Sequence, residues 1–224
     1  LMLIKDVNFY YRQILEKYPN SYFTQDLNKV IIGIDCEYLD ANSITFSELK
    51  AKFYEYAVGE KLCEYAGFFG VLSADFIHLF ENLPSLERKN YDFPPFLFAN
   101  AKAYLLYEKN SKMFFKFGEK TYFDFLDDHF KIPPKNKAEF SILNDLKEEK
   151  ESYEAMVEKA KEYLLSGDIF QVVLSKQLCI KHNLKPFDYY EALSLENPSA
   201  YMFYFPTQYG VVLGSSPELL LSIK

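Results

Sequence analysis

The sequence of 224 residues contains no tryptophan and only three cysteines, Cys36, Cys63 and Cys179. An odd number of cysteines without close spacing argues against a disulfide framework and a cysteine-based zinc site, and indicates buried, reduced thiols. No apolar run approaches the roughly 18 residues of a membrane-spanning helix, and no basic segment followed by an apolar one indicates a signal peptide. The sequence therefore predicts a cytoplasmic protein with no membrane association.

Several signatures of ligand binding are also missing. Gly118 and Gly167 form no glycine-rich phosphate loop, so nucleotide binding has no support. His78, His129 and His182 are isolated and lack the spacing of metal ligands, so we expect ordinary surface or hydrogen-bonded histidines. The formal net charge of −7 repels phosphate backbones, so nucleic acid is not expected as a partner.

Apolar and aromatic residues are abundant. The hydrophobic fraction is 49%, which is ample for a packed core, and the charged fraction of 25% is typical of a globular domain. Because the chain holds 22 phenylalanines and 19 tyrosines, we expect aromatic side chains to dominate that core.

The spacing of apolar residues predicts five helices. In the clearest one, the apolar positions from Tyr153 to Leu164 lie on one face, Ser152 is the expected N-cap, and Gly167 marks the end. Ser47 is the expected N-cap of another. The four further predicted helices cover residues 7–18, 47–65, 121–130 and 188–195.

Runs rich in β-branched and aromatic residues predict strands. The predicted strands are a hairpin of 30–34 with 37–46, a pair of 96–107 with 112–117, a long strand at 169–180, a pair of 201–205 with 211–213, and a last strand at 219–223. The last strand is apolar and has no polar tail, so it indicates a sheet edge that expects a partner. The proline- and lysine-rich segment 132–136 predicts a boundary between domains at 1–135 and 136–224.

Three motifs carry the strongest functional signal. They are SGDIFQVVLSK at 166–176, NPSAYMFY at 197–204 and GSSPE at 214–218. In this order and at this spacing they resemble the chorismate-utilising enzymes, closest to anthranilate synthase component I. The paired glycines of GFFG at 67–70, followed by FENLP at 80–84, resemble the same family. We expect these glycines where strands approach closely, and the proline in a turn.

The resemblance implies an α+β fold in which antiparallel β-sheets pack as a sandwich with helices around them. The chain covers about half of the family's length, so the fold is expected to be incomplete. Residues 1–135 would form the N-terminal regulatory region, and residues 136–224 would begin the chorismate-binding catalytic domain.

The resemblance also implies an activity. A component I enzyme converts chorismate and ammonia to anthranilate and pyruvate in tryptophan biosynthesis, with ammonia from a glutamine amidotransferase subunit and feedback inhibition by tryptophan. The family's Mg²⁺ ligands lie beyond residue 224, so no metal ligand is expected in this chain. The chain alone is expected to be inactive.

Two residues correspond to the family's catalytic positions. Gln171 stands where isochorismate and salicylate synthases carry a lysine base. An amide cannot act as a base at neutral pH, so the resemblance gives Gln171 a positioning role. Glu218 corresponds to the general acid that assists loss of the ring hydroxyl of chorismate, and that role requires a proton at neutral pH. From the residues alone, Gln171 reads as an ordinary strand glutamine and Glu218 as a carboxylate in the first turn of a helix.

The family's tryptophan site has two parts. Ala200, Tyr201 and Met202 correspond to a Pro-Tyr-Met stretch, and alanine at 200 removes a rigid φ angle and a ring face. The segment FTQD at 23–26 corresponds to a Leu-Leu-Glu-Ser motif, so Asp26 replaces a serine with a negative charge. We hypothesise that inhibition by tryptophan is weakened or altered. On pattern alone, residues 197–202 read equally as a loop that leads into a core strand.

Two alternative functions remain open. An aminodeoxychorismate synthase component usually carries asparagine where this chain has Val173 and lacks the Tyr-Met pair, so the sequence favours anthranilate synthase over it. The second alternative is a non-catalytic module that binds tryptophan or a partner subunit.

Overall fold

A computed structural model describes residues 6–84, 92–127, 129–132, 134 and 137–219. The α-helices within these ranges are α1 (Val7–Lys17), α2 (Phe46–Val58), α3 (Leu146–Ser166) and α4 (Pro186–Glu196). The strands are β1 (Tyr22–Gln25), β2 (Lys29–Asp40), β3 (Phe68–Leu72), β4 (Phe96–Glu108), β5 (Met113–Phe117), β6 (Phe140–Ile142), β7 (Ile180–His182), β8 (Tyr201–Thr207) and β9 (Gly210–Ser216). Short 3-10 turns cover Ala74–Leu79 and Lys120–Tyr122. None of the described helices is long and apolar enough to span a membrane.

The chain divides into two compact units. The first comprises residues 1–133 and 189–224, and the second comprises residues 134–188. The second unit therefore begins close to the predicted boundary at 135, while residues from 189 onward group with the first unit. The predicted functional division into 1–135 and 136–224 stays a prediction.

The first unit is built on a seven-stranded antiparallel sheet. The strand order is β3-β4-β2-β1-β8-β9, and β5 lies beside β4. Strands β2 and β4 form its centre and pair from Lys29 opposite Glu108 to Asp40 opposite Leu97. Together with the helices, this sheet confirms the predicted α+β class.

Strand β2 corrects one prediction. A hairpin of 30–34 with 37–46 was expected, but β2 runs unbroken from Lys29 to Asp40. Asp35 in its middle has a φ of 53°, a left-handed conformation that aspartate tolerates, and the register on either side of it is unchanged. The Lys102 ammonium lies 3.2 Å from the Asp35 carboxylate, so the local conformation is also held from the neighbouring strand.

Aromatic side chains dominate the core, as predicted. The largest fully buried side chains are Tyr11, Tyr104, Tyr190, Phe23, Phe96 and Phe205. Helix α1 packs on the sheet through the Tyr11 ring, whose centroid is 5.1 Å from that of Phe23 and 5.9 Å from that of Tyr204. The Tyr11 hydroxyl donates a 2.6 Å hydrogen bond to the Ser21 carbonyl, so its polar end is satisfied inside the core.

The cysteines are free thiols, as expected. Cys36 is buried, and burial raises the pKa of its thiol to about 12, so the group stays protonated and unreactive. Cys63 is half-buried and Cys179 is exposed, so the expectation of buried thiols is confirmed for Cys36 only and is wrong for Cys179. Cys179 is exposed because it lies just before β7, in a segment whose side chains are mostly exposed.

Helix boundaries differ from prediction where capping decided them. Helix α2 begins after Thr45, because the Thr45 hydroxyl accepts from the Glu48 amide and the Glu48 carboxylate accepts from the Thr45 amide. Ser47 therefore lies inside the helix, and α2 ends at Val58 rather than residue 65. Of the helix predicted at 121–130, the described residues form only the end of the 3-10 turn Lys120–Tyr122. Further on, the buried Gln13 amide binds the backbone of Asp127 in both directions, at 2.7 and 3.0 Å.

Helix α3 is longer than predicted. It begins after Asp145, whose carboxylate accepts from the Lys147 and Glu148 amides, so the predicted cap Ser152 is wrong. Ion pairs between lysines and glutamates four residues apart support the helix across residues 147–154. This stretch is polar, so it has no apolar stripe from which the start of the helix could be predicted. Its predicted end is confirmed, because Gly167 follows with a φ of 80° and donates to the last turn.

The second unit also contains the two-stranded sheet of β6 and β7. The long strand predicted at 169–180 is wrong except for Ile180, because no other described residue forms a ladder with 169–179. A strand is stabilised by a neighbour, and its sequence alone does not supply one. The strand predicted at 219–223 falls almost entirely outside the described residues.

The two glycines of the 67–70 motif differ in their surroundings. Gly70 pairs with Phe98, and a Cβ atom there would lie 2.8 Å from Phe98 Cα and closer still to the Leu97 carbonyl oxygen. A Cβ atom on Gly67 would meet nothing within 4 Å. The expectation of a close strand approach is therefore confirmed for Gly70 and wrong for Gly67.

We predict that Gly70→Ala destabilises the protein by about 1–3 kcal/mol, because the backbone must move to admit the new atom. Gly67→Ala is the matched control, and its effect should stay within about 0.5 kcal/mol. Urea unfolding followed by circular dichroism measures both variants. Equal stabilities for the two would contradict the close approach at Gly70.

A buried carboxylate links the end of β2 to the turn between β8 and β9. Asp40 is 3% exposed, and its Oδ2 atom accepts 2.7 Å hydrogen bonds from the Gln208 amide and the Tyr209 hydroxyl. Its Oδ1 atom accepts from the backbone amides of Asn42 and Ser43. Burial raises the pKa of Asp40, but the hydrogen bonds from Tyr209, Ser43 and Asn42 outweigh it and hold the pKa below its usual range.

We predict that Asp40→Asn lowers the free energy of unfolding at pH 7 by about 1–3 kcal/mol, because the new NH₂ group faces two donors. Asp92→Asn, at an exposed carboxyl, is the control. The folded pKa is depressed, so the contribution of Asp40 is complete above the unfolded pKa of about 3.9 and is lost as the pH falls through the folded pKa. Urea titrations from pH 7 to pH 3 should show the difference between wild type and Asp40→Asn narrowing below about pH 4. A constant difference would rule out an ionised Asp40.

Candidate functional site

Strands β1 and β8 bring together the two predicted parts of the tryptophan site. They pair antiparallel, with Phe23 opposite Tyr204 and Gln25 opposite Met202, although Gln25 and Met202 are 177 positions apart in the chain. The ladder ends at this last pair, so Asp26 directly follows the paired residues of β1, and Tyr201 directly precedes those of β8. Of the four predicted residues, Met202 is therefore the one that pairs with β1 within the described ladder.

Side chains reinforce this pairing. The Thr24 hydroxyl donates to the Met202 carbonyl at 3.3 Å, and the Gln25 amide lies 3.6 Å from the Met202 sulfur. Met202 is 2% exposed, whereas Tyr201 points to the surface. The Met202 side chain is thus buried in the strand pair, and the Tyr201 side chain is accessible from solvent.

Helix α4 contributes Tyr190 to the same region. Burial raises the pKa of the Tyr190 hydroxyl, and the polar Gln25 side chain nearby offsets part of that effect. The hydroxyl therefore stays protonated at neutral pH. The centroid of its ring lies 5.4 Å from that of Phe23 and 6.0 Å from that of Tyr204, so Tyr190 packs against one residue of each strand.

Asp26 closes the turn between β1 and β2. Its Oδ1 atom accepts hydrogen bonds from the backbone amides of Asn28 at 2.7 Å and Lys29 at 2.9 Å. Its own amide donates to the Lys29 carbonyl at 3.0 Å, and its carbonyl accepts from the Lys109 ammonium. The negative charge noticed in the sequence therefore has a structural role of its own.

Two ammonium groups lie near this turn. Burial lowers the pKa of Lys109, and the charge of Asp26 opposes that effect. The Lys29 ammonium lies 4.1 Å from the centroid of the Tyr65 ring. The turn therefore carries groups of both charges beside the strand pair.

The segment that precedes β8 is held from β9. The Ser215 hydroxyl donates a 2.6 Å hydrogen bond to the Asn197 carbonyl. The Ser199 hydroxyl oxygen is shielded from solvent and has no hydrogen-bond partner among the described residues. Sequence reasoning missed Ser199, Gln25 and Tyr190, and Ser199 could have been found from its place inside the NPSAYM motif.

The two predicted catalytic residues lie in different units. Gln171 is exposed in the irregular segment of the second unit. Glu218 is exposed just after β9 in the first unit, and its carbonyl accepts from the Ser216 hydroxyl at 3.3 Å. The helical turn expected at Glu218 is not formed in the described residues up to 219. The catalytic roles of both residues stay predictions.

Comparison with known proteins identifies the family. The model of the chorismate binding enzymes matches residues 11–224. This chain belongs to that family. Its sequence is 43% identical to an anthranilate synthase component 1 of Acetivibrio thermocellus over 90 residues, 40% of this chain and 18% of the relative. It is 30% identical to the component 1 of Cereibacter sphaeroides over 180 residues, 71% of this chain and 36% of the relative.

A solved structure supports the fold of this chorismate binding family member. Anthranilate synthase component I of Streptococcus pneumoniae aligns with the whole of this chain at a TM-score of 0.60 and 18% identity. The alignment covers 58% of that structure. This chain therefore spans only part of the length of the relatives it matches.

The positions of the described acidic, histidine and cysteine side chains bear on metal binding. No group of three or more histidine, cysteine, aspartate or glutamate residues within them is placed to hold a metal ion. We therefore place no Mg²⁺ site among the described residues and assign no chemical step to a metal here.

Proposed function

We propose that this chain is the first part of an anthranilate synthase component I acting in the cytoplasm. The observation that carries the proposal is the family match over residues 11–224, together with relatives of 43% and 30% identity that bear that name. The motifs at 166–176, 197–204 and 214–218 agree with it. Magnesium, in this proposal, binds residues outside this chain.

The proposed reaction consumes chorismate and ammonia and yields anthranilate, pyruvate and water. Glu218 donates a proton to the departing ring hydroxyl, which leaves as water while ammonia forms the new bond to the ring. Gln171 positions the substrate through its amide and takes no proton. A glutamine amidotransferase subunit supplies the ammonia, and tryptophan inhibits the enzyme.

The chemistry is tested on the protein expressed from its complete gene, with chorismate, Mg²⁺ and an ammonium salt. We expect fluorescent anthranilate and an equal amount of pyruvate. Glu218→Gln should lower kcat at least about 100-fold, because the proton donor is lost, while Glu119→Gln at an exposed carboxylate should not. Residues 1–224 alone should give no anthranilate.

Other products would decide between the alternatives. Aminodeoxychorismate without pyruvate would replace anthranilate synthase with aminodeoxychorismate synthase. Tryptophan binding without any turnover of chorismate would favour the non-catalytic module. Turnover by residues 1–224 alone would contradict the expected inactivity.

Regulation is proposed at the β1–β8 strand pair, and its support is the register that sets Gln25 opposite Met202. The Asp26 carboxylate lies next to this pair and repels the carboxylate of a bound amino acid. Ala200 leaves the chain before β8 less rigid than a proline would. Both features weaken the binding of tryptophan.

We predict that Asp26→Asn raises the affinity for tryptophan about fivefold, which corresponds to ~1 kcal/mol of repulsion near the surface. Asparagine keeps an Oδ1 acceptor for the Asn28 and Lys29 amides, so the turn should persist. Isothermal titration calorimetry measures the change, with Asp92→Asn as the control for a lost surface charge. An unchanged or weaker affinity would reject the repulsion.

A further inference from the structure

A cavity of about 520 Å³, here named the α1–β5 cavity, opens beside α1 in the first unit. The buried Leu105 of β4 forms part of its wall. Its other walls come from α1, β5 and the segment that follows the 3-10 turn, and they include Tyr10, Phe114, Lys116, Asp124, Phe125 and Asp127. Cavities of about 300–1,000 Å³ accommodate small molecules, so the volume suits one.

The α1–β5 cavity is separate from the β1–β8 strand pair. Residues directly opposite each other in an antiparallel sheet share a face. One such row crosses the sheet from β8 to β5 through Tyr204, Phe23, Ile32, Leu105 and Lys116. Four strand spacings of about 4.8 Å set the ends of this row ~19 Å apart. The Tyr11 ring packs against the strand pair, whereas the Tyr10 ring packs against β5, so α1 lies between the strand pair and the cavity.

The apolar walls of the cavity are mostly aromatic. The Tyr10 and Phe114 rings meet edge to face, with their centroids 5.3 Å apart. The Phe125 ring forms another wall, and the Lys17 ammonium lies 4.4 Å from its centroid. Aromatic walls of this kind suit the apolar side chain of a ligand.

Two groups of opposite charge border the cavity. The exposed Lys116 ammonium forms no ion pair with a described residue, and it lies 5.6 Å from the centroid of the Phe123 ring. The Asp127 carboxylate forms no ion pair with a described residue either. The second carboxylate of the cavity, Asp124, is paired with Lys120 at 3.4 Å. The cavity therefore offers one cation and one carboxylate that described side chains do not neutralise.

The backbone fixes where these two charged residues lie. The buried Gln13 side chain binds the Asp127 backbone in both directions. The Asp127 Oδ1 atom accepts a 2.8 Å hydrogen bond from the amide of His129, whose side chain also borders the cavity. Lys116 is placed by the pairing of β5 with β4, in which it lies opposite Leu105. A ligand therefore meets charged residues whose backbone positions the fold has already set.

We infer that the α1–β5 cavity binds a free amino acid with an apolar side chain. The carboxylate of this ligand meets Lys116, and its ammonium meets Asp127. Its side chain lies against the aromatic walls. This inference goes beyond the proposed reaction and does not depend on the proposed tryptophan site.

The charges at the cavity select a zwitterion over simpler ligands. A simple organic anion would face the carboxylates of Asp124 and Asp127, with Lys116 alone to offset them. A simple organic cation would face the Lys116 ammonium. A zwitterion matches both signs at once, and the aromatic walls favour an apolar side chain over a charged one.

Phenylalanine is the probe that tests this inference, by NMR titration of the isotope-labelled chain. Phenylpropionate and phenethylamine are its matched controls, because each lacks one of the two charges. We expect phenylalanine to bind with a Kd of about 1 mM or below and to shift the amide signals of Phe114, Lys116 and Asp127. Each control ligand should bind at least about threefold more weakly, the effect of one solvent-exposed ion pair.

Matched variants assign the two charges. Lys116→Met should weaken the binding of phenylalanine at least about threefold and leave phenethylamine, which has no carboxylate, bound no more weakly. Asp127→Asn should weaken the binding of phenylalanine by a similar factor and leave phenylpropionate bound no more weakly, and its Oδ1 atom still accepts from the His129 amide. Lys61→Met and Asp92→Asn remove the same charges at exposed positions outside the cavity walls, and should leave every Kd within about twofold. All four side chains are exposed, so the thermal unfolding of each variant should match that of the wild type.

Four results would overturn the inference. They are the absence of amide shifts with phenylalanine, shifts confined to Gln25 and Met202 of the strand pair, a control ligand that binds as tightly as phenylalanine, and binding that is insensitive to either Lys116→Met or Asp127→Asn. Because no turnover is measured, none of these results bears on the production of anthranilate. A complete enzyme that binds phenylalanine here and makes no anthranilate would count against the proposed reaction alone.

Discussion

The short strand β1 holds the first unit together. On one edge it pairs with β2, from Tyr22 opposite Gly33 to Gln25 opposite Val30, and on the other it pairs with β8. In the backbone ladder, the β8–β9 hairpin is therefore joined to β2 through Phe23, Thr24 and Gln25. Helix α1 contacts β1 through Tyr11, whose hydroxyl donates to the carbonyl of Ser21 just before β1 and whose ring packs against that of Phe23.

Local signals were enough to predict the elements that are stabilised locally. Helix α1 followed from its apolar stripe, the β4–β5 pair from two β-rich runs around a turn, and the end of α3 from Gly167. Errors arose where a tertiary contact decided the outcome. Nothing in the residues around Asp35 indicates a left-handed φ, and nothing near 121–130 indicates that Gln13 binds that backbone. Thr45 and Ser47 are both good caps, and the reciprocal bond with Glu48 selects the first.

The candidate site divides in the same way. Ala200, Tyr201 and Met202 could be found because their letters form a motif, and Asp26 because its neighbours align with one. Gln25 and Tyr190 could not, since their importance comes from contacts between distant parts of the chain. Gln171 illustrates the opposite limit. The residues around Gln171 predict a strand, but a strand forms only beside a neighbouring strand. The segment itself does not indicate which strand that would be.

The Asp40 carboxylate also restricts the length of the turn that it holds. Its two oxygens bind the 42–43 backbone on one side and the Gln208 and Tyr209 side chains on the other. An inserted residue between Thr207 and Gly210 would move at least one of those side chains out of hydrogen-bond distance of Asp40. It would also change the register in which Tyr201 pairs with Ser216. Variation in loop length during evolution should therefore avoid this corner and collect in connections that carry no buried charge.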